Sequence, residues 1–304
     1  MIRPEQVVEM MSLAKPTGTS VPGPIPTVIP TPTEYQAAGG EGYRTLWVTF
    51  AIMVASSATF ALLSWNVPIS RRIYYVLTTL MTITASLSYF AMASGHSVSY
   101  NCITVRDYHE HVPDTFHDVC RQVYWARYID WTLTTPLLLL NLCLLAGIDG
   151  GHTLMAIVAN FIMNLSALFT AFSSTGTAQK WGWYAISIIS YIFVIWHVAL
   201  HGTRMVSAKG SGVSRLFNSL ALYSLILWTA YPIIWGVADG ARKMTVDTEI
   251  MTYAILDILA KTVFGLWLLV SHRAVPETNI ELDGYWSHGL TSEGRIRVGD
   301  EDLN

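Results

Sequence analysis

The chain has 304 residues, of which 13% are charged and 52% hydrophobic, with a net charge of −3; soluble chains average about 25% charged. Such a composition argues against an ordinary soluble protein, and a charge so small and mixed in sign leaves no expectation of a nucleic-acid partner. Three cysteines, Cys102, Cys120 and Cys143, lack C-x-x-C spacing, so neither a disulfide scaffold nor a zinc or redox motif is read and no metal centre is expected.

Residues 1–42 hold seven of the twelve prolines, among them Pro22, Pro24, Pro26, Pro30 and Pro32. They are expected to form a disordered tail. The segment lacks the basic stretch, apolar run and small-residue cleavage site of a secretory signal. From residue 45 onward, seven apolar stretches follow, running approximately Thr45 to Trp65, Ile73 to Gly95, Val123 to Ala146, Leu154 to Phe172, Trp183 to Leu200, Leu216 to Val237 and Ile250 to Val270. Each is long enough to cross a hydrocarbon core of about 30 Å at 1.5 Å per residue. Short connections make consecutive helices antiparallel neighbours, so the fold class is all-α, a seven-transmembrane-helix bundle over residues 43–273 with the lipid bilayer as its solvent. The exception is the stretch from His96 to Gln122, with Asp107, Glu110, Asp114 and Asp118, which reads as a structured aqueous loop. Residues 274–304 read as a polar tail. Lys and Arg are balanced between the two faces, so the positive-inside rule does not orient the bundle.

Charges inside the apolar stretches cost at least about 2.5–3.5 kcal/mol each and need a partner or a purpose. Asp257 and Lys261 stand at i and i+4 in the seventh stretch, hence on one helical face. Arg127 and Asp130 share a face of the third stretch. They can form a structural ion-pair cluster that holds two helices in register. On the third helix Asp130, Thr134 and Asn141 follow at i, i+4 and i+11, all on one side. Trp228, Tyr231, Pro232 and Trp235 line a face of the sixth, with Trp131 and Trp183 available on neighbouring helices. Aromatic stripes of this kind are usually core; here they would enclose the same interior as the lysine and suit a long, planar, hydrophobic cofactor. A buried lysine is suited to condensing with a carbonyl ligand.

The run Arg127-Tyr128-Ile129-Asp130-Trp131-Thr132-Leu133-Thr134-Thr135-Pro136, with Trp228-Thr229-Ala230-Tyr231-Pro232 and Asp257-Ile258-Leu259-Ala260-Lys261, resembles the microbial (type 1) rhodopsins, whose fold is the bacteriorhodopsin-like bundle. Within them it is most similar to fungal proton pumps of the Leptosphaeria kind. The resemblance implies all-trans retinal bound to Lys261 as a protonated Schiff base. It implies Asp130 as primary proton acceptor, Asp257 as second counterion, and Arg127 modulating both. Tyr89, Trp131, Thr135, Trp183, Trp228, Tyr231, Pro232 and Trp235 match positions of the retinal pocket, with Tyr89 and Tyr231 hydrogen-bonding Asp257. Asp239 and Glu249 resemble a proton-releasing acidic pair. The N-terminus is then outside and the C-terminus cytoplasmic, in a plasma membrane. The resemblance leaves room for a homo-oligomer and names no signalling partner.

Asn141 departs from the pump pattern, in which that position offers a carboxylic acid as proton donor; an amide cannot supply a proton. Two functions follow, neither of them an enzyme's. The preferred one is an outward light-driven proton pump with slow reprotonation. The alternative is a sensory photoreceptor with a long-lived signalling state. A chloride pump conflicts with the charge of Asp130, and the motifs of animal-type receptor opsins are absent. His197 and His201, one turn apart, read as a helix-end pair rather than a proton relay. Cys102 and Cys120 share a loop and can pair or stay reduced.

Overall fold

The computed structural model describes residues 31–67, 69–110, 113–173 and 177–274. The proline-rich residues 1–30 and the polar residues 275–304 lie outside the described residues. Among the described residues, seven helices are long and apolar enough to span a bilayer. They are α1 (Gly40–Leu63), α2 (Ile69–Ala93), α3 (Trp125–Ala146), α4 (Gly150–Phe172), α5 (Ala178–Val206), α6 (Ser211–Gly240) and α7 (Val246–Arg273). All seven expected stretches are helical, and the structure extends most of them by a turn or more. Side chains such as Leu62, Leu87, Leu222 and Ile226, each more than 60% exposed, face outward, as in a bundle whose outer surface meets lipid.

The ends of the helices follow from local chemistry. Gly147, at φ +72°, takes the left-handed conformation that closes α3 without the steric cost a Cβ would bring. Two residues on, Asp149 caps α4 by accepting from the His152 backbone N–H at 2.9 Å, and Thr177 and Thr245 cap α5 and α7 in the same way. The last three spans are not uniform. α5 widens to π-helix over Trp196–His201, α6 over Gly236–Gly240 and α7 over Ile258–Val263. Pro136 lies inside α3 and Pro232 inside α6, each removing one backbone hydrogen bond.

Two departures from the sequence reading concern the segments around the helices. The stretch expected as an aqueous loop is a β-ribbon, β2 (Val98–Asp107) and β3 (Thr115–Tyr124). The expected disorder also does not reach residue 42, because Glu34–Gln36 form β1, parallel to β3 with Tyr35 opposite Cys120, and α1 begins at Gly40. The three strands order as β1-β3-β2. A disulfide joins Cys102 to Cys120. Residues 31–33, 104–110 and 113–118 belong to a small unit held by polar contacts. In it the His117 ring lies 2.9 Å from the Asp107 carboxyl and holds it below the usual carboxylate range, while the His109 backbone N–H and Arg106 do the same for Asp114.

The interior of the main unit has two apolar ends. At the end reached by β2 and β3, Leu46, Met53, Tyr89, Met92, Ile250 and Ala254 pack together. At the other, Tyr74, Leu139, Leu142, Phe217, Leu220 and Phe264 form a larger cluster. Close approach is required at Gly265 of α7, where a Cβ would lie 2.9 Å from Phe60 Cε2 and closer still to Thr78. Between the two ends lies the polar site.

Candidate functional site

α3 and α7 bring their inward charges together. Lys261 sits in the π-helical turn of α7, is 4% exposed, and its Nζ contacts Asp130 Oδ2 directly and lies 3.4 Å from Asp257 Oδ1. π-Helical turns inside α-helices recur at functional sites. The two carboxylates are not equivalent. Asp257 Oδ2 accepts from the Tyr89 hydroxyl at 2.7 Å, and its Oδ1 accepts from the Tyr231 hydroxyl at 2.7 Å and from Trp131 Nε1 at 3.2 Å. Asp130 has Lys261 on one oxygen, and its Oδ1, fully buried, meets no hydrogen-bond partner among the described residues. Three neutral donors thus converge on Asp257, whereas the lysine is the one hydrogen-bond partner of the Asp130 carboxylate among the described residues.

From Lys261 an apolar cavity runs between α3, α4, α5 and α6. Its walls include Met81, Leu138, Met163, Trp228, Pro232 and Trp235, and among the described residues Asp257 and Lys261 are the charged ones that line it. Trp131, Thr134, Thr135 and Tyr231 line it as well. Trp131 and Tyr231 meet edge to face at 5.1 Å, and Tyr184 stacks on Trp235 at 5.0 Å.

Most residues expected at the pocket are therefore gathered there, with corrections. Tyr89 stands behind the cavity lining and bonds Asp257 instead. Trp183 does not line the cavity either: it faces Phe169, ring centroids 5.0 Å apart, on the outside of the bundle, and Tyr184 takes the inward position. One residue along a helix is a rotation of about 100°, and both sides of α5 are apolar, so the pattern alone chose the wrong aromatic. Thr134 spends its hydroxyl on the backbone carbonyl of Asp130 at 2.8 Å, not on the carboxylate. Asn141 is completely buried deeper along α3, with neither side-chain polar atom hydrogen-bonded among the described residues.

Arg127 makes no hydrogen bond to Asp130 or Asp257. Its Nη1 donates to Glu249 Oε1 at 2.5 Å, and its guanidinium lies 4.5 Å over the Tyr253 ring. Glu249 is clamped from the other side by Arg121, whose Nη2 donates to Oε2 at 2.7 Å. Arg121 Nε reaches Asp239 Oδ1 at 3.3 Å and its Nη1 donates to the Met244 carbonyl at 2.8 Å. Asp239 and Glu249 thus share the Arg121 guanidinium. Lys180 adds a donor to the Asp239 backbone carbonyl at 3.2 Å. Arg121 and Lys180 escaped the sequence reading because they stand outside the expected spans, where charge is ordinary.

This arrangement defines a class, a polytopic membrane protein with an apolar cavity lined by a lysine that pairs with two carboxylates. A family model described as bacteriorhodopsin-like protein matches residues 43–275, and the chain belongs to that family, the microbial rhodopsins. It is 68% identical to Opsin-1 of Neurospora crassa over 304 residues, 99% of this chain and 100% of that protein. The crystal structure of a light-driven proton pump from Leptosphaeria maculans superposes with a TM-score of 0.78 at 57% identity, covering 81% of this chain and 99% of that one. The light-driven proton pump of Coccomyxa subellipsoidea gives a TM-score of 0.69 at 35% identity, over 78% and 100%. The resemblance carried by the three sequence motifs is borne out.

Proposed function

We propose that the protein is a light-driven outward proton pump that carries all-trans retinal on Lys261. The observation that carries the reading is the lysine, paired with Asp130 and Asp257 and lining an otherwise apolar cavity. The cavity suits the group, with largely apolar walls for a polyene and the charged lining residues Asp257 and Lys261 where the linkage would form. Retinal would supply visible absorption and a light-driven change of shape, which the side chains cannot.

The residues do the rest. Lys261 holds the proton to be moved, with Asp130 as its direct partner. When the lysine N–H turns away, Asp130 loses its one donor among the described residues and is the carboxylate that takes the proton. Asp257 keeps Tyr89, Tyr231 and Trp131 and stays the fixed negative charge. With the N-terminus outside the plasma membrane, the cluster of Arg127, Arg121, Glu249 and Asp239 stands on the exit side, where movement of Arg127 would loosen the hold on Glu249. Asn141 stands on the entry side and cannot donate, so reprotonation draws on water and is slow.

Cells supplied with retinal in unbuffered suspension should acidify the medium on illumination. The signal should vanish with a protonophore and in Lys261→Ala. A photocycle without any pH change would refute pumping and leave the sensory reading.

A further inference from the structure

At the end of the bundle away from the β-ribbon, folding gathers polar side chains from three segments that the proton path above does not use. Asp149 stands in the turn between α3 and α4, His152 in the first turn of α4, and His197 and His201 in the π-helical turn of α5. Cysteine spacing, on which no metal centre is expected, does not bear on a cluster of histidines and a carboxylate.

The distances separate two kinds of contact. Asp149 Oδ1 accepts from the His152 backbone N–H at 2.9 Å, leaving Oδ2 free of that cap. Oδ2 lies 3.7 Å from His201 Nε2 and 4.0 Å from His152 Nε2. Both are too long for hydrogen bonds. The ligand atoms of the three residues all lie within 4.8 Å of one another; two ligands at 2.0–2.1 Å around a tetrahedral ion are about 3.3 Å apart, so the carboxylate–imidazole distances would shorten by about 0.4 and 0.7 Å around a shared ion. The His152 and His201 rings lie 3.9 Å apart, centroid to centroid. His201 Nε2 is shut off from solvent and has no hydrogen-bond partner among the described residues. His152 Nδ1 is 3.0 Å from His197 Nδ1. That contact is the outer support a metal-binding imidazole ordinarily has, since a proton on Nδ1 donated to His197 leaves the Nε2 lone pair facing Asp149 and His201.

We propose that Asp149 Oδ2, His152 Nε2 and His201 Nε2 form a binding site for a divalent transition ion of the Zn2+ class, with His197 as a positioning residue. Two imidazoles and one carboxylate select such an ion over Mg2+ or Ca2+, which prefer all-oxygen shells. The bound ion would tie the start of α4 to the π-helical turn of α5. The inference is independent of the pumping reading.

The test is calorimetric titration of the full chain in detergent with Zn2+, and with Mg2+ for comparison. Zn2+ should bind, with affinity at least about tenfold weaker in His152→Ala and His201→Ala and about tenfold weaker in His197→Ala. His117→Ala, which alters the separate Asp107 pair, should leave this binding unchanged. Asp149→Asn keeps the Oδ1 cap and the fold, and should also weaken Zn2+ binding. Equal Zn2+ affinity in the native chain and in Asp149→Asn and His201→Ala would overturn the proposal, as would no Zn2+ binding at all or an equal response to Mg2+.

Discussion

Arg121→Gln tests the geometry of the buried cluster near the β-ribbon. Arg121 is 2% exposed and its three contacts go to Asp239, Glu249 and the Met244 carbonyl. Glu249 keeps Arg127 when Arg121 is lost, but the Asp239 carboxylate makes no other side-chain hydrogen bond among the described residues, since Lys180 bonds its backbone oxygen. An uncompensated charge is then left in a buried place, which costs about 3–5 kcal/mol. Removing that charge as well, in Arg121→Gln with Asp239→Asn, replaces the broken pair by two amides and should recover about 1–3 kcal/mol. Thermal unfolding in detergent, followed by far-ultraviolet circular dichroism, would rank native above double above single variant. A single variant as stable as the native chain, or a double variant no better than the single, would refute the reasoning.

Two further outcomes are expected. Asn141→Asp restores an acid on the entry side, so recovery of the dark state after a flash should accelerate about a hundredfold. Recovery in the native chain should slow as pH rises, and in the variant should respond much less; flash spectroscopy across pH checks both. Gly265→Ala forces a Cβ against Phe60 and Thr78, and overpacking of this kind should cost about 1–3 kcal/mol of stability without moving the absorption band, measured by the same unfolding assay and a visible spectrum.

The lysine site was legible because charge is rare in apolar helices: Asp257 and Lys261 one turn apart, with Asp130 on α3, are improbable unless they meet. What the pattern could not supply was direction around a helix that is apolar on every side, hence Trp183 for Tyr184. Neither could it show that Arg127 turns to Glu249, because the competing guanidinium of Arg121 comes from a strand. The ribbon itself was missed because its residues are polar on both faces and lack a clean two-residue alternation, as in Arg106-Asp107 and His117-Asp118. The histidine cluster needed the fold, since Asp149 and His201 are far apart in sequence and meet only when α4 and α5 pack.

The bridge between Cys102 and Cys120 bears on a matter the balance of lysines and arginines left open. Disulfides persist in oxidising surroundings and are rare where glutathione keeps thiols reduced. A disulfide-bridged ribbon, with β1 paired to β3 just ahead of α1, fits the side of the membrane away from the cytosol, as in the orientation proposed above. Redox chemistry thus supports the proposed orientation independently of the family resemblance, with Asp239 and Glu249 toward the exterior and Asn141 toward the cell.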